Sequence, residues 1–216
     1  MKLFVYDHCP FCVRTRMIFG LKKIPFELVM LANDDDETPT KMIGQKMVPI
    51  LQKEDGTYMP ESLDIVEYVD QHYGDAPVLV GKQSEELAAI LAKIQAVDYI
   101  LVYPRYVALG LPEFQTHSAR DYFENKKKPR SGPFSECLQK TEQVTAQVEA
   151  LLAQLDKQLK SPQACNGTLS IDDICLFPTL RNLTCVQGLT FPPKVKIYLD
   201  CMAKLSQIDL YFDRAL

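Results

Sequence analysis

The spacing of apolar residues in the first seventy or so positions predicts short strands alternating with helices. Apolar runs predict three strands, at residues 3–6, 26–31 and 47–51. Between the first two, Val13, Met17 and Leu21 recur at helical spacing, so a helix should connect them. A β-α-β unit of about thirty residues implies that these two strands are parallel.

A short second helix, a hairpin and a third helix are predicted in the rest of this stretch. An acidic stretch leads into a short helix near Thr38, and residues 54–57 predict a hairpin turn after the third strand. The next helix begins at Glu61 and Ser62 and stops at Gly74, and its apolar stripe is Ile65, Val66, Val69 and Tyr73. The order β-α-β-α-β-β-α resembles a thioredoxin-type α/β domain.

The pattern changes beyond residue 74. Residues 75–84 contain Gly and Pro and predict a linker, and only helical periodicity follows it. The predicted organisation is therefore an α/β thioredoxin-like domain at 1–74, a linker at 75–84 and an all-helical domain at 85–216.

Within the helical part, two apolar stripes predict core helices, one over residues 87–101 and one over 144–159. The basic run at 126–130 predicts only a solvated loop. The sequence from Ser170 to Asp173 has the form of a capping box, which starts a helix and carries no chemistry of its own. Pro192 and Pro193 should open the last helix.

Composition narrows the choice of partners and compartment. The chain has 47% hydrophobic residues, 24% charged residues and a formal net charge of -4. This balance argues against a nucleic-acid or anionic-membrane partner. No apolar run approaches the roughly 20 residues of a membrane span, and the N-terminus does not resemble a signal peptide. Seven cysteines, an odd number and mostly scattered, favour a reducing cytoplasm over a secreted disulfide framework.

Two of those cysteines stand where the first strand passes into the first helix, in the sequence Cys9-Pro10-Phe11-Cys12. A cysteine at a helix N-cap faces unpaired backbone N–H groups and the positive end of the helix dipole, which favour the thiolate. Cys9 is therefore the candidate nucleophile. Cys12 lies one turn on, within reach of a disulfide, and suits a resolving role. The alternative is a pair of structural cysteines beneath a helix end.

Four separated motifs together resemble one family. They are Cys9-Pro10-Phe11-Cys12, Val48-Pro49, Glu61-Ser62 and Ser170-x-x-Asp173. In order and spacing they resemble the two-domain bacterial glutaredoxins built like a glutathione transferase, the glutaredoxin 2 family, over essentially the whole chain. Such glutaredoxins usually carry Tyr where this sequence has Phe11, which bears on redox potential and not on either sulfur.

The resemblance implies a glutathione site made of three pieces. Pro49 would be a cis proline facing Cys9, and Val48 would offer its backbone to the cysteinyl unit of glutathione, as an added strand does. Glu61 and Ser62 would hold the γ-glutamyl end, the hydroxyl and helix start taking the carboxylate. An ordinary trans proline and a plain helix cap are the alternatives. Arg16 and Lys46 are both possible partners for the glycine carboxylate.

The implied activity is that of a glutathione-dependent thiol-disulfide oxidoreductase that reduces protein disulfides and glutathione mixed disulfides. Glutathione would be the reducing co-substrate, no metal is expected, and the partners would be disulfide-containing or glutathionylated proteins. A cytoplasmic monomer with no nucleic-acid or membrane partner fits this activity.

Two rival functions stay open on the sequence alone. One is a conjugating glutathione transferase, although such enzymes usually present Tyr or Ser near the position of Cys9. The other is a metal or iron-sulfur protein that uses Cys9 and Cys12, but two thiolates do not complete a tetrahedral site. His8 is expected to modulate Cys9 or to be exposed. The remaining five cysteines are expected to be small buried apolar residues.

Overall fold

A computed structural model describes all 216 residues, and the first region of the chain forms a four-stranded sheet. The strands are β1 (Lys2–Val5), β2 (Glu27–Met30), β3 (Ile50–Gln52) and β4 (Tyr58–Met59). Their order in the sheet is β2-β1-β3-β4. β1 and β2 are parallel, whereas β3 is antiparallel to both β1 and β4. The β-α-β unit forces the first pairing to be parallel, and the hairpin forces the last to be antiparallel.

Three helices accompany this sheet, namely α1 (Pro10–Leu21), α2 (Glu37–Ile43) and α3 (Ser62–His72). α1 packs against α3, and both bury most of the predicted apolar stripes, except that Leu21 is half-buried and Tyr73 is half-buried just beyond the end of α3. We call β1 to α3 the sheet region. The predicted order of elements is confirmed, with one local difference: β3 begins after Pro49 and not at Met47. Proline has no N–H to contribute to a strand ladder, and the Val48-Pro49 peptide bond is cis.

The rest of the chain contains helices and no strand, and we call α4 to α10 the helical region. The bounds are α4 (Glu85–Gln95), α5 (Asp98–Tyr106), α6 (His117–Ser131), α7 (Phe134–Gln139), α8 (Thr141–Gln158), α9 (Ile171–Leu183) and α10 (Pro193–Ser206). Short 3-10 turns lie at Pro112–Phe114 and Phe212–Arg214. The capping box at Ser170 and the proline start of α10 are both confirmed.

Two predictions for the helical region are wrong. The apolar stripe over 87–101 does not belong to one helix, because the chain breaks between α4 and α5 and the stripe continues across the break. The basic run at 126–130 is not a loop, since it forms the last turns of α6. Pro129 in this run lies inside the helix. The aromatic and apolar residues of α6 bury one face against its neighbours, which tertiary packing supplies and a local charge pattern does not reveal.

The two regions share a buried seam. α1 of the sheet region packs against α9 and α10, and a Cβ at Gly20 would stand 2.0 Å from the carbonyl oxygen of Ser206. Only glycine allows the two backbones to approach so closely. At the same seam, Arg181 is 2% exposed and donates to the Asp7 carboxylate at 2.9 Å, and the Tyr211 hydroxyl donates to that carboxylate at 2.6 Å.

Residues 75–84, the predicted linker, contain neither helix nor strand. The placing of the domain boundaries at 74 and 85 stays a prediction. No single helix is long and apolar enough to cross a membrane, although α4 and α5, bent by 55°, meet those criteria of length and composition as a pair.

Candidate active site

Cys9 lies immediately before α1, in the segment that connects β1 to this helix. It is the N-cap residue, with extended backbone angles of φ -70° and ψ 117°, and Pro10 takes the first helical position as predicted. The Cys9 side chain is 9% exposed and lines a cleft between the sheet and helical regions. This thiol is therefore sheltered but reachable from the cleft.

Cys12 is more deeply buried than Cys9, and its pKa is shifted in the other direction. It has no exposed surface, and its sulfur accepts a hydrogen bond from the backbone N–H of Tyr6 at 3.5 Å. Burial, followed by the neighbouring Cys9, raises the pKa of Cys12 well above that of an ordinary thiol. No disulfide joins the two cysteines in this structure.

The pKa of Cys9 moves in the opposite direction, to about 7. The largest cause is a hydrogen bond from the Cys12 thiol, which favours the Cys9 thiolate. Burial opposes this shift, and the charge of His8 and the backbone N–H groups of Cys12 and Phe11 add smaller lowering contributions. Cys9 therefore combines a lowered pKa with access to the cleft, the two properties of a reactive cysteine.

Of the two expectations for His8, exposure is wrong because the residue is buried, and its position next to Cys9 fits the role of modulator. Its Nδ1 lies 2.5 Å from Oε1 of Glu113, and its backbone N–H donates to the same oxygen at 2.9 Å. Glu113 has no exposed surface and comes from the helical region. Burial would raise the pKa of this carboxyl, but the hydrogen bonds from His8 keep that pKa below its usual range. The helical region thus holds the residue next to Cys9.

The cleft has a volume of about 530 Å³, which suits a small peptide-like ligand. The sheet region contributes Cys9, Phe11 and Val48 to one wall, with other residues around them. The helical region contributes the opposite wall, namely Gln95, Asp98, Val102, Tyr103, Tyr106, Phe123, Lys126, Lys127, Arg130, Thr179 and Asn182. Sequence reasoning identified the first wall and missed the second.

The predicted glutathione-binding residues do not all meet in this cleft. Val48 lines the cleft, and Pro49 is buried directly after it with the predicted cis bond. Ser62 is buried as the first residue of α3, and Glu61 is its exposed N-cap; neither is among the residues that line the cleft. Glu61 adopts φ 68°, which is unusual for a residue with a side chain and is typical of functional sites.

The two possible partners of the glycine carboxylate separate clearly. Arg16 lies outside the cleft, and its guanidinium donates to Asp7 at 2.7 Å. Lys46 lines the cleft, and its Nζ lies 2.6 Å from the exposed carboxylate of Asp36. Lys46 is therefore the better placed of the two. No three His, Cys, Asp or Glu side chains lie together in a way that would hold a metal ion.

The helical-region wall carries most of the charged side chains of the cleft. Lys126, Lys127 and Arg130 come from the basic run, which the sequence predicted to be a loop. Arg14, one helical turn and a half beyond Cys9, also lines the cleft. The spacing of residues 123, 127 and 130 on one helical face was the available signal, but it becomes informative only if the segment is taken as a helix.

Family models match both the sheet region and the helical region of the chain. The model for the C-terminal domain of glutaredoxin 2 matches residues 86–215, and the model for the N-terminal domain of glutathione S-transferase matches residues 3–77. Gtt2 from Saccharomyces cerevisiae, at 18% identity and a TM-score of 0.59, covers 97% of this chain and 100% of its own. At that identity the likeness concerns the fold alone.

Two closer relatives match along the entire chain. Glutaredoxin 2 of Escherichia coli strain K12 is 50% identical over 216 residues, which is 100% of both chains. The crystal structure of glutaredoxin 2 from Salmonella typhimurium in complex with glutathione is 51% identical, with a TM-score of 0.97 over 100% of this chain and 98% of its own. With a free Cys-x-x-Cys pair at the helix start, this chain belongs to the glutaredoxin 2 family of glutathione-dependent disulfide oxidoreductases.

Proposed function

We propose that Cys9 is the attacking nucleophile and that Cys12 resolves the intermediate. The Cys9 thiolate attacks one sulfur of a protein disulfide, forming a mixed disulfide and releasing the other sulfur as a thiol. Cys12 then attacks Cys9, which frees the second protein thiol and closes a Cys9–Cys12 disulfide. The substrate disulfide is reduced and the dithiol is oxidised, so the electrons balance.

Two molecules of glutathione complete the cycle. The first attacks the Cys9–Cys12 disulfide, leaving glutathionyl-Cys9 and the Cys12 thiol. The second attacks the glutathionyl sulfur, which releases oxidised glutathione and restores the Cys9 thiolate. For a glutathionylated protein, Cys9 takes over the glutathionyl group directly, and Cys12 is not needed. The lowered pKa of Cys9 assists both halves, because it supplies thiolate and makes Cys9 a better leaving group.

Val48, Pro49, Glu61 and Ser62 are proposed to bind glutathione. The half-buried Val48 lines the cleft, which supports pairing of its backbone with the cysteinyl unit. The start of α3, with its N–H groups and the unusual backbone of Glu61, supports binding of the γ-glutamyl carboxylate at Ser62 and its ammonium at Glu61. The Salmonella relative was crystallised with glutathione, which supports the same ligand for this chain.

We also propose that the protein acts as a cytoplasmic monomer on disulfide-containing or glutathionylated proteins. The sheet region and the helical region between them supply both walls of the cleft, which supports a monomer as the working unit. The seven cysteines are an odd number and mostly scattered, which favours a reducing compartment over a disulfide framework.

The observation that carries the proposal is the contrast between Cys9, accessible with a lowered pKa, and Cys12, buried with a raised one. The test is a glutathione-coupled assay that reduces a small mixed disulfide of glutathione and mercaptoethanol. The natural chain should be active and Cys9→Ser should fall to the uncatalysed rate. Cys137→Ser is the matched control, because Cys137 is buried and outside the cleft. Activity of Cys9→Ser equal to that of this control would refute the proposal.

A further inference from the structure

The α6 wall of the cleft presents a row of cations. Lys126, Lys127 and Arg130 all line the cleft, and the spacing of positions 123, 127 and 130 places them on the same helical face as the buried ring of Phe123. Lys126 and Arg130 are exposed and Lys127 is half-buried. The face of α6 that points at Cys9 is therefore basic, although the chain as a whole is acidic.

None of these three side chains forms an ion pair within the protein. They lie on aromatic rings instead. The Nζ of Lys126 lies 5.7 Å from the centroid of the Tyr122 ring, and the Nζ of Lys127 lies 5.1 Å from that of Tyr103. The Cζ of Arg130 lies 4.4 Å from the centroid of the Tyr99 ring. Cation–π contacts hold a charge in place without neutralising it, so these groups stay available to an anion.

Arg14 adds a fourth available cation from the sheet region. Its guanidinium lies 4.8 Å from the ring of Phe11, which is 50% exposed, and its buried Nε has no hydrogen-bond partner. Lys46 is the fifth cation of the cleft and is already paired with Asp36. The only carboxyl that lines the cleft is Asp98, and burial raises its pKa to about 7, so part of it is uncharged at neutral pH.

Glutathione does not account for so many cations. It carries two carboxylates, and the proposed site assigns one of them to the start of α3, outside the cleft. One carboxylate is left for five cationic side chains, four of which have no ion pair. The surplus lies on the wall opposite Val48, which is the side where the polypeptide part of a mixed disulfide must lie if glutathione pairs with Val48.

We propose that the basic α6 face, formed by Lys126, Lys127 and Arg130, binds acidic residues that flank the target cysteine of a protein substrate. The inference rests on the proposed function and names its substrate class: a disulfide or glutathionylated cysteine in a segment rich in Asp or Glu. Complementary charge attracts such a segment to the cleft and brings its sulfur to Cys9.

The test compares two glutathionylated peptides that are identical except for four flanking residues, Asp in one and Lys in the other. Both are measured beside the small mixed disulfide of glutathione and mercaptoethanol. The variants are K126E/R130E and, as a matched control, K128E. Lys128 has the same charge on the same helix and is exposed, but it does not line the cleft.

The natural chain should have a kcat/KM for the Asp peptide about tenfold above that for the Lys peptide, and salt should reduce this preference. K126E/R130E should abolish or reverse the preference, and K128E should keep it. The inference is overturned if the natural chain does not distinguish the peptides, if K128E acts like the double variant, or if the double variant slows all three substrates equally. Failure of the natural chain on the small mixed disulfide would instead overturn the proposed function.

Discussion

The two walls of the cleft are built from opposite kinds of interaction. The sheet-region wall places a sulfur with local means: a strand end, a proline and the first N–H groups of a helix, all within residues 5–12. The helical-region wall collects side chains from four helices spread over more than eighty residues. The first wall holds the group that reacts, and the second supplies charge and shape around it. Residues close together in the sequence thus position the sulfur, whereas residues far apart in the sequence form its surroundings.

The walls meet at two buried polar contacts, His8 with Glu113 and Asp7 with Arg181. In each, a residue just before Cys9 is held by a residue of the helical region. The local wall therefore depends on the distant one for its electrostatics, and the following changes separate the two contributions.

The largest expected effect concerns the local wall alone. Cys12→Ser should abolish reduction of a protein disulfide, because no thiol remains to resolve the mixed disulfide. Reduction of a glutathionylated peptide should continue, since that route uses Cys9 only. Both rates are measured with glutathione coupling. Equal loss in the two assays would show that Cys12 has another role.

Arg181→Met should weaken the seam that joins the walls. It leaves the half-buried Asp7 carboxylate with fewer partners, and removal of one member of a buried ion pair costs about 3 kcal/mol. The free energy of unfolding in urea measures this loss. Lys196→Met is the control, because Lys196 pairs with Asp200 on the exposed surface of one helix and should change stability little. Similar losses in both variants would contradict the importance of the seam.

Glu113→Gln tests whether the helical region tunes the nucleophile. Glutamine keeps an acceptor for His8 but removes the carboxylate that faces it, and the charge of His8 is one of the causes that lower the pKa of Cys9, so that pKa should rise from about 7. Alkylation of Cys9 by iodoacetamide at pH 7 should then slow by about three- to tenfold. The pH profile of the alkylation rate gives the pKa directly. Asp121→Asn is the control, because it removes the carboxylate of an exposed His117 pair.

An unchanged profile in Glu113→Gln would mean that the local wall sets the Cys9 pKa by itself. A shift in Asp121→Asn as large as that in Glu113→Gln would mean that the effect is one of net charge and not of this contact.

Asp98→Asn should give the smallest effect and acts on the distant wall alone. The pKa of Asp98 is raised to about 7 in the folded protein from 3.8, chiefly by burial, so the folded form holds this proton more tightly than the unfolded form. This group's contribution to stability is therefore present below pH 4 and is lost as the pH rises towards 7.

Asn does not titrate, so the free energy of unfolding should fall by about 1 kcal/mol less between pH 4 and pH 7 in the variant. This figure is kept small because Asp98 is only half-buried and solvent screens its charge. Urea midpoints measured across this range provide the test. An identical decline in the variant and the natural chain would contradict the raised pKa.

Much of the sheet region followed from sequence because its elements are short and each has a clear signal. The alternation of strands, the helix start at Cys9 and the hairpin before β4 all depend on neighbouring residues, and the structure contains them. The boundary of β3 was less accurate, since the chain joins the sheet only after Pro49, which has no N–H for the strand ladder. In the helical region the stripes were correct but the break between α4 and α5 was not foreseen.

The sequence by itself determined the order of elements, the position of the Cys-x-x-Cys pair at a helix start and the family resemblance, because helix starts, strand alternation and close cysteine spacing act over a few residues. Only the tertiary structure decided that His8 is buried against Glu113 and that the basic run of α6 faces Cys9. These contacts join residues about a hundred positions apart, and their free energy exists only once both regions are folded against each other. A local pattern records which residues can form a helix, but packing decides what that helix faces.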